Sequence, residues 1–100
     1  MKVIGVKNLN TVAGKQGKAK QAMLAWYFEA RKASWTGPGQ IKKEYIGLTI
    51  ISANRVVFPV YGNSYFLVAD INYQLQILHI VWIGTKKDFE QIDVNTIKYA

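Results

Sequence analysis

The chain has no cysteine, which removes disulfides, thiol nucleophiles and thiolate metal ligands together and is compatible with a reducing compartment. No apolar run approaches the ~18 residues of a membrane span. The opening MKVIGVKNLN is apolar for too few residues to form the core of a signal peptide. A cytoplasmic protein with no membrane partner is the expectation. Acid is scarce as well: six Asp and Glu face thirteen Lys and Arg, for a net charge of +7. With a single histidine, imidazole chemistry is confined to His79.

At 100 residues, half of them hydrophobic, the chain is expected to form one domain over 1–100 around one core. Its charge is uneven. Residues 1–43 carry nine Lys or Arg against Glu29 alone, whereas residues 44–100 carry four against five acids. A basic half-domain attracts phosphate backbones through counterion release, and acidic proteins or anionic surfaces by the same field.

Residues 2–6 have the length and β-branching of a first strand, weakened by Gly5. The polar stretch from Gly14 to Gly17 is expected to break the chain. From Lys18 to Ser34, Ala19, Ala22, Met23, Trp26, Ala30 and Ala33 recur at three- and four-residue spacing, which predicts a helix with one buried face. Phe28 falls off that stripe and is expected to be exposed. Thr36-Gly37-Pro38-Gly39 ends the helix, and Gln40–Tyr45 is read as a turn into the sheet.

Three strands with short connections follow, at Asn54–Tyr61, Tyr65–Tyr73 and Gln76–Ile83, with an Asn/Gly turn at Gly62-Asn63. Pro59 places the first of them at an edge or a bulge. Lys86 to Ile92 reads as a short helix with Thr85 as its N-cap. The order predicts an α+β domain: an N-terminal strand and helices packed on one face of a curved antiparallel sheet, with a short C-terminal helix.

An even turn centred on Gln74-Leu75 would oppose Asp70 to His79 and Phe66 to Ile83. Alternation then puts Phe66, Val68, Asp70, His79, Val81 and Ile83 on one face, and Leu67, Ala69, Ile71, Leu78, Ile80 and Trp82 on the helix-covered one.

Asn54-Arg55-Val56-Val57-Phe58, Gly62-Asn63-Ser64-Tyr65, Ile71-Asn72-Tyr73 and Ile83-Gly84-Thr85 resemble the HigB toxin family of the RelE-like superfamily. Ala25-Trp26-Tyr27, Lys32-Ala33-Ser34-Trp35 and Ile41-Lys42 look like its helical part. The resemblance implies an mRNA endoribonuclease, ribosome-dependent, without metal or organic cofactor, and silenced by a HigA-like helix-turn-helix antitoxin. It also implies arginine at positions 66 and 81, a basic residue at 70, histidine at 86 and tyrosine at 89. This chain has Phe66, Val81, Asp70, Lys86 and Phe89 instead.

The catalytic candidates are therefore Lys86, a cation for the phosphorane-like transition state, and His79 with the opposed Asp70, as an acid/base unit or else a cross-strand ion pair. The RNA-binding candidates are Lys42, Lys43, Arg55 and Lys87, with Phe66 read as a base-stacking ring, an antitoxin contact or packing. Tyr45 is a possible proton-transfer group, whereas alternation puts Tyr65 on the covered face. A catalytically lapsed RNA- or antitoxin-binding module is the alternative to the enzyme.

Overall fold

Hairpin geometry organises the sheet. The four-residue turn after Asn72 leaves that residue paired with Ile77, and from there Asp70 faces His79 and Ala69 faces Ile80, as the even turn predicts. In the computed structural model, residues 1–7, 9 and 17–98 are described. The Gly14 end of the expected break lies outside them.

The elements run β1 (Lys2–Ile4), α1 (Gly17–Lys32), α2 (Pro38–Glu44), β2 (Thr49–Ile50), β3 (Arg55–Val60), β4 (Tyr65–Asn72), β5 (Ile77–Thr85) and α3 (Lys86–Phe89). The sheet order is β1-β5-β4-β3-β2. All neighbours are antiparallel except β1, which runs parallel to β5. The α+β architecture expected from the sequence is what the chain adopts.

Four details differ. Of the segment read as a turn at Gln40–Tyr45, all but Tyr45 belongs to the helix α2, because Pro38 sits at its start, where a proline's fixed φ and missing N–H cost nothing. The two-residue strand β2 is too short to carry a periodic signal, and it covers β3 only at Val56 and Val57. Pro59 lies beyond it on a stretch of β3 edge, where a ladder donor is not needed. The β3–β4 turn spans 61–64 and so begins before Gly62-Asn63, with Tyr61 and Gly62 in the left-handed region.

The fourth difference moves side chains between faces. The register shifts between Val68 and Ala69, so Val68 faces Trp82, Phe66 faces Gly84, and Val81 is the extra residue of a β-bulge. Beyond it the alternation inverts. Ile83, expected on the open face, joins the helix-covered core, and Trp82, expected in that core, joins the cluster on the opposite face. A Cβ at Gly84 would lie 2.6 Å from two atoms of the Trp82 ring. Gly84→Ala should therefore drive the indole off the sheet, read as a red shift of tryptophan emission. Unchanged emission would show that the ring does not depend on that gap.

The helix-side core joins Met23, Trp26 and Ala30 of α1, Ile41 of α2, and Phe58, Leu67, Ile71, Leu78 and Ile80 of the sheet. Of the predicted stripe, Ala22 and Ala33 are only partly buried at its margin, and Phe28 is half-exposed as expected. The second face is not bare. Val57, Val68 and Val81 are buried there beneath Phe89, Ile92, Val94 and Ile97 of α3 and the segment after it.

Candidate functional site

Arg55 opens β3, Asp70 stands opposite it on β4, and His79 stands opposite Asp70 on β5. The three form one cross-strand row on the face away from α1 and α2. Asp70 receives a two-pronged contact: Nε of Arg55 donates to Oδ1 at 2.6 Å and Nη2 to Oδ2 at 2.8 Å. Nη1 of Arg55 donates to the carbonyls of Val94 at 3.1 Å and Ile97 at 2.8 Å. The hydrogen bond to Asp70 raises the guanidinium pKa above its ordinary value. Arg55, expected from the sequence as an RNA contact, is thus engaged inside the protein with four of its five N–H groups.

Beside this row lies an open groove of about 830 Å3 whose wall includes Asp70, His79, Asn54, Asn72, Gln74 and Asn95. The four amide side chains were not singled out from the sequence. Each sits in or next to a turn or in the C-terminal segment, where Asn and Gln are common, and only the register gathers them.

The other end of the same face is apolar. The rings of Phe66 and Phe89 are 4.8 Å apart and those of Trp82 and Phe89 5.9 Å, separations typical of favourable aromatic pairs. Of the three roles open to Phe66, packing is the one with partners in the structure. Positions 66, 81 and 89, where the resemblance implies two arginines and a tyrosine, belong to a single apolar cluster. Val81 is buried in this cluster, where an arginine would be a buried charge without a partner.

Lys86 and Lys87 are exposed at the start of α3, where the Thr85 hydroxyl accepts the Asp88 N–H at 3.2 Å as the N-cap foreseen from the sequence. His79 and Lys86 lie toward opposite ends of the β5 segment. Seven residues of extended chain span roughly 20 Å. Lys86 therefore does not share a reacting centre with Asp70 and His79. Lys42 and Lys43 are exposed on α2, which packs by Ile41 into the helix-side core, and Lys42 Nζ donates to the Leu48 carbonyl at 3.0 Å. Neither lines the groove.

Tyr65 is buried in the helix-side core, as alternation required. The Tyr45 hydroxyl donates to the Glu29 carboxylate, and burial, then Glu29, push its pKa upward. A phenol so held is a poor proton acceptor near neutral pH. Beside it, Trp35 Nε1 donates to Glu44 Oε2 at 2.6 Å. These are fastenings between α1, α2 and the segment joining them. Among the described residues, no three His, Cys, Asp or Glu side chains gather to hold a metal ion, and no helix is long and apolar enough to cross a membrane.

Residues 19–92 match the model of the HigB toxin family, described as the RelE-like toxic component of a toxin–antitoxin system. No curated protein matches the chain. The match takes in all but the first two residues of α1, then α2, β2 to β5 and α3, and stops short of Val94 and Ile97, the residues whose carbonyls Arg55 holds. With the greater part of its length matched, and with helices laid on an antiparallel-dominated sheet, the chain belongs to the HigB toxin family.

Proposed function

We propose that this chain is the toxin of a type II toxin–antitoxin pair, an mRNA endoribonuclease that needs no metal, works on the ribosome in the cytoplasm and is silenced by a HigA-like helix-turn-helix antitoxin. Family membership supplies the class. The observation that carries the reading to particular residues is the opposed Asp70–His79 pair on the wall of a solvent-open groove, in a chain of net charge +7.

In this reading the ribose 2′-hydroxyl attacks the adjacent phosphorus, the bond to the 5′-oxygen breaks, and a cyclic phosphate is left on one fragment. His79 accepts the 2′-hydroxyl proton and returns a proton to the leaving 5′-oxygen. Asp70 orients the imidazole and is itself held by the Arg55 fork. Lys86 and Lys87, ~20 Å along β5, hold the backbone some nucleotides away, and Lys42 and Lys43 hold it from the helix side. Phe66 serves as the platform beneath Phe89.

A second reading is favoured by one observation. The cluster of Phe66, Val81, Trp82 and Phe89 occupies the ground where the resemblance implies cations, which fits a toxin-fold module that binds RNA or antitoxin without cutting. Mapping of mRNA 5′ ends after brief expression, with and without ribosomes, separates the two. The enzyme should yield new ends, arrest growth until the antitoxin is supplied, and lose on the order of 10²-fold in cleavage rate on His79→Gln. Lys86→Ala should weaken RNA binding more than it slows the bound reaction. Soluble, folded protein that produces no new ends would leave the binding module as the function.

A further inference from the structure

Past α3 the chain returns over the sheet face that lies away from α1 and α2. Residues 93–98 form no strand, and none of them is buried. Little holds them down. Val94 and Ile97 rest half-buried against Val57, Val68 and Val81, and Arg55 Nη1 donates to the carbonyls of the same two residues. The remaining order is internal: the Asp93 carbonyl accepts the N–H of Thr96 at 3.2 Å and of Ile97 at 2.9 Å, and Asp93 Oδ1 accepts that of Asn95 at 3.0 Å. A segment with so few buried apolar contacts opens locally at small cost. The family match ends at residue 92, so this segment lies outside the part of the chain that carries the family pattern.

The partners of Arg55 divide in two. Nε and Nη2 are committed to Asp70, its neighbour on the sheet, and hold the guanidinium there without the segment's help. Nη1 is given to two backbone carbonyl oxygens. A phosphate group offers an arginine nitrogen the same kind of acceptor, and a stronger one because it is charged. The segment therefore fills the place of a phosphate at Arg55, and Asn95 adds to the wall of the groove that holds Asp70 and His79.

We propose that residues 93–98 are an autoinhibitory latch, which occupies the Nη1 side of Arg55 and yields it to a phosphate of bound RNA. The inference rests on the RNA-binding part of the reading above and not on cleavage. Latch and phosphate exclude each other at one nitrogen. A site that is open for a fraction of the time binds with its intrinsic affinity scaled down by that fraction. Loosening the latch raises the affinity, provided that Arg55 is there to be released.

The test is equilibrium binding of the whole chain to a labelled single-stranded oligoribonucleotide at low salt, with amide hydrogen exchange on the same proteins. Asp93→Ala combined with Ile97→Ser removes a side-chain acceptor of the turn and one apolar anchor. It should speed exchange across residues 94–98 and tighten binding about tenfold, the worth of one hydrogen-bonded contact to a charged group. Asp93→Ala alone, at an exposed position, should do the same to a lesser degree. Arg55→Ala should speed exchange in the same residues without tightening the complex, because the cation beneath the latch is gone. In the unaltered chain, saturating oligonucleotide should speed exchange at Thr96 and Ile97, where simple coverage by RNA would slow it. Loosened variants that bind no tighter than the parent, an Arg55→Ala chain that gains as much as they do, or exchange at those two amides that RNA leaves unchanged or slows, would overturn the latch and leave the RNA reading to the lysines. A chain that binds no oligonucleotide, latched or loosened, would overturn the RNA reading itself, and the latch with it.

Discussion

Phe58→Ala should destabilise the domain by about 3–5 kcal/mol, the cost of emptying a large aromatic site in a core that does not collapse around it. Phe58 is fully buried at the middle of β3, and three rings from the helical layer converge on it. Trp26 of α1 lies 5.3 Å away edge-on, Trp35 of the α1–α2 link 5.8 Å, and Tyr45 at the end of α2 5.1 Å edge-on. The removed ring is therefore the surface that Trp26, Trp35 and Tyr45 share. Domains of this size hold only ~5–15 kcal/mol in all. A loss of that order should lower the melting temperature by on the order of 20 °C. Phe58→Leu, which keeps most of the volume, should cost much less, about 1.5 kcal/mol. Thermal unfolding followed by near-ultraviolet circular dichroism reads both. A Phe58→Ala protein melting within a few degrees of the parent would show that the helices are anchored elsewhere.

Arg55→Ala should loosen the segment after α3 before anything else moves. It strips donors from the carbonyls of Val94 and Ile97 and takes the guanidinium away from Asp70. Breaking a fully buried pair costs ~3–5 kcal/mol. The Asp70 side chain is 37 % exposed, and solvent reduces the penalty to roughly 2 kcal/mol. Arg55→Lys should not rescue it, because an ammonium cannot span both carboxylate oxygens and two carbonyls at once. Asp70→Asn should cost less than Arg55→Ala, since the guanidinium keeps its hold on the two carbonyls. Amide hydrogen exchange is the direct readout: protection around Val94 to Ile97 should fall in Arg55→Ala and persist in Asp70→Asn. Exchange there that is indifferent to Arg55 would mean that the apolar contacts of Ile92, Val94 and Ile97 suffice.

Reading side chains against strand periodicity succeeds here up to the first irregularity. From Gln74-Leu75 back to Asp70 and His79 the register follows from turn length alone, and the structure has it. Val81-Trp82-Ile83 is a run of three apolar residues, so nothing in it marks which one is extra, and a bulge there inverts every later assignment. The start of α2 is hidden in the sequence for a different reason. Pro-Gly closes one helix, but the same proline is well placed to begin the next. As for the candidate site, the opposition of Asp70 and His79 was legible, because it depends on one turn. The engagement of Arg55 was not, because its partners at Val94 and Ile97 are backbone carbonyls far along the chain and carry no side-chain signature. The distance from His79 to Lys86 is set by strand length and would have followed from counting residues along β5.

The parallel pairing of β1 with β5 has a consequence for the order of assembly. Strands β3, β4 and β5 are joined by tight reversals, so their contacts are local and form early. Lys2 must meet Ile77 and Ile4 must meet His79, which closes about three quarters of the chain into one loop, and that search carries an entropic cost that grows with the residues enclosed. During synthesis, β1 therefore emerges first and docks last. Until it does, β5 shows a bare row of amide and carbonyl groups along the strand that carries His79, and that interval is when a second nascent copy would most readily add itself to the sheet.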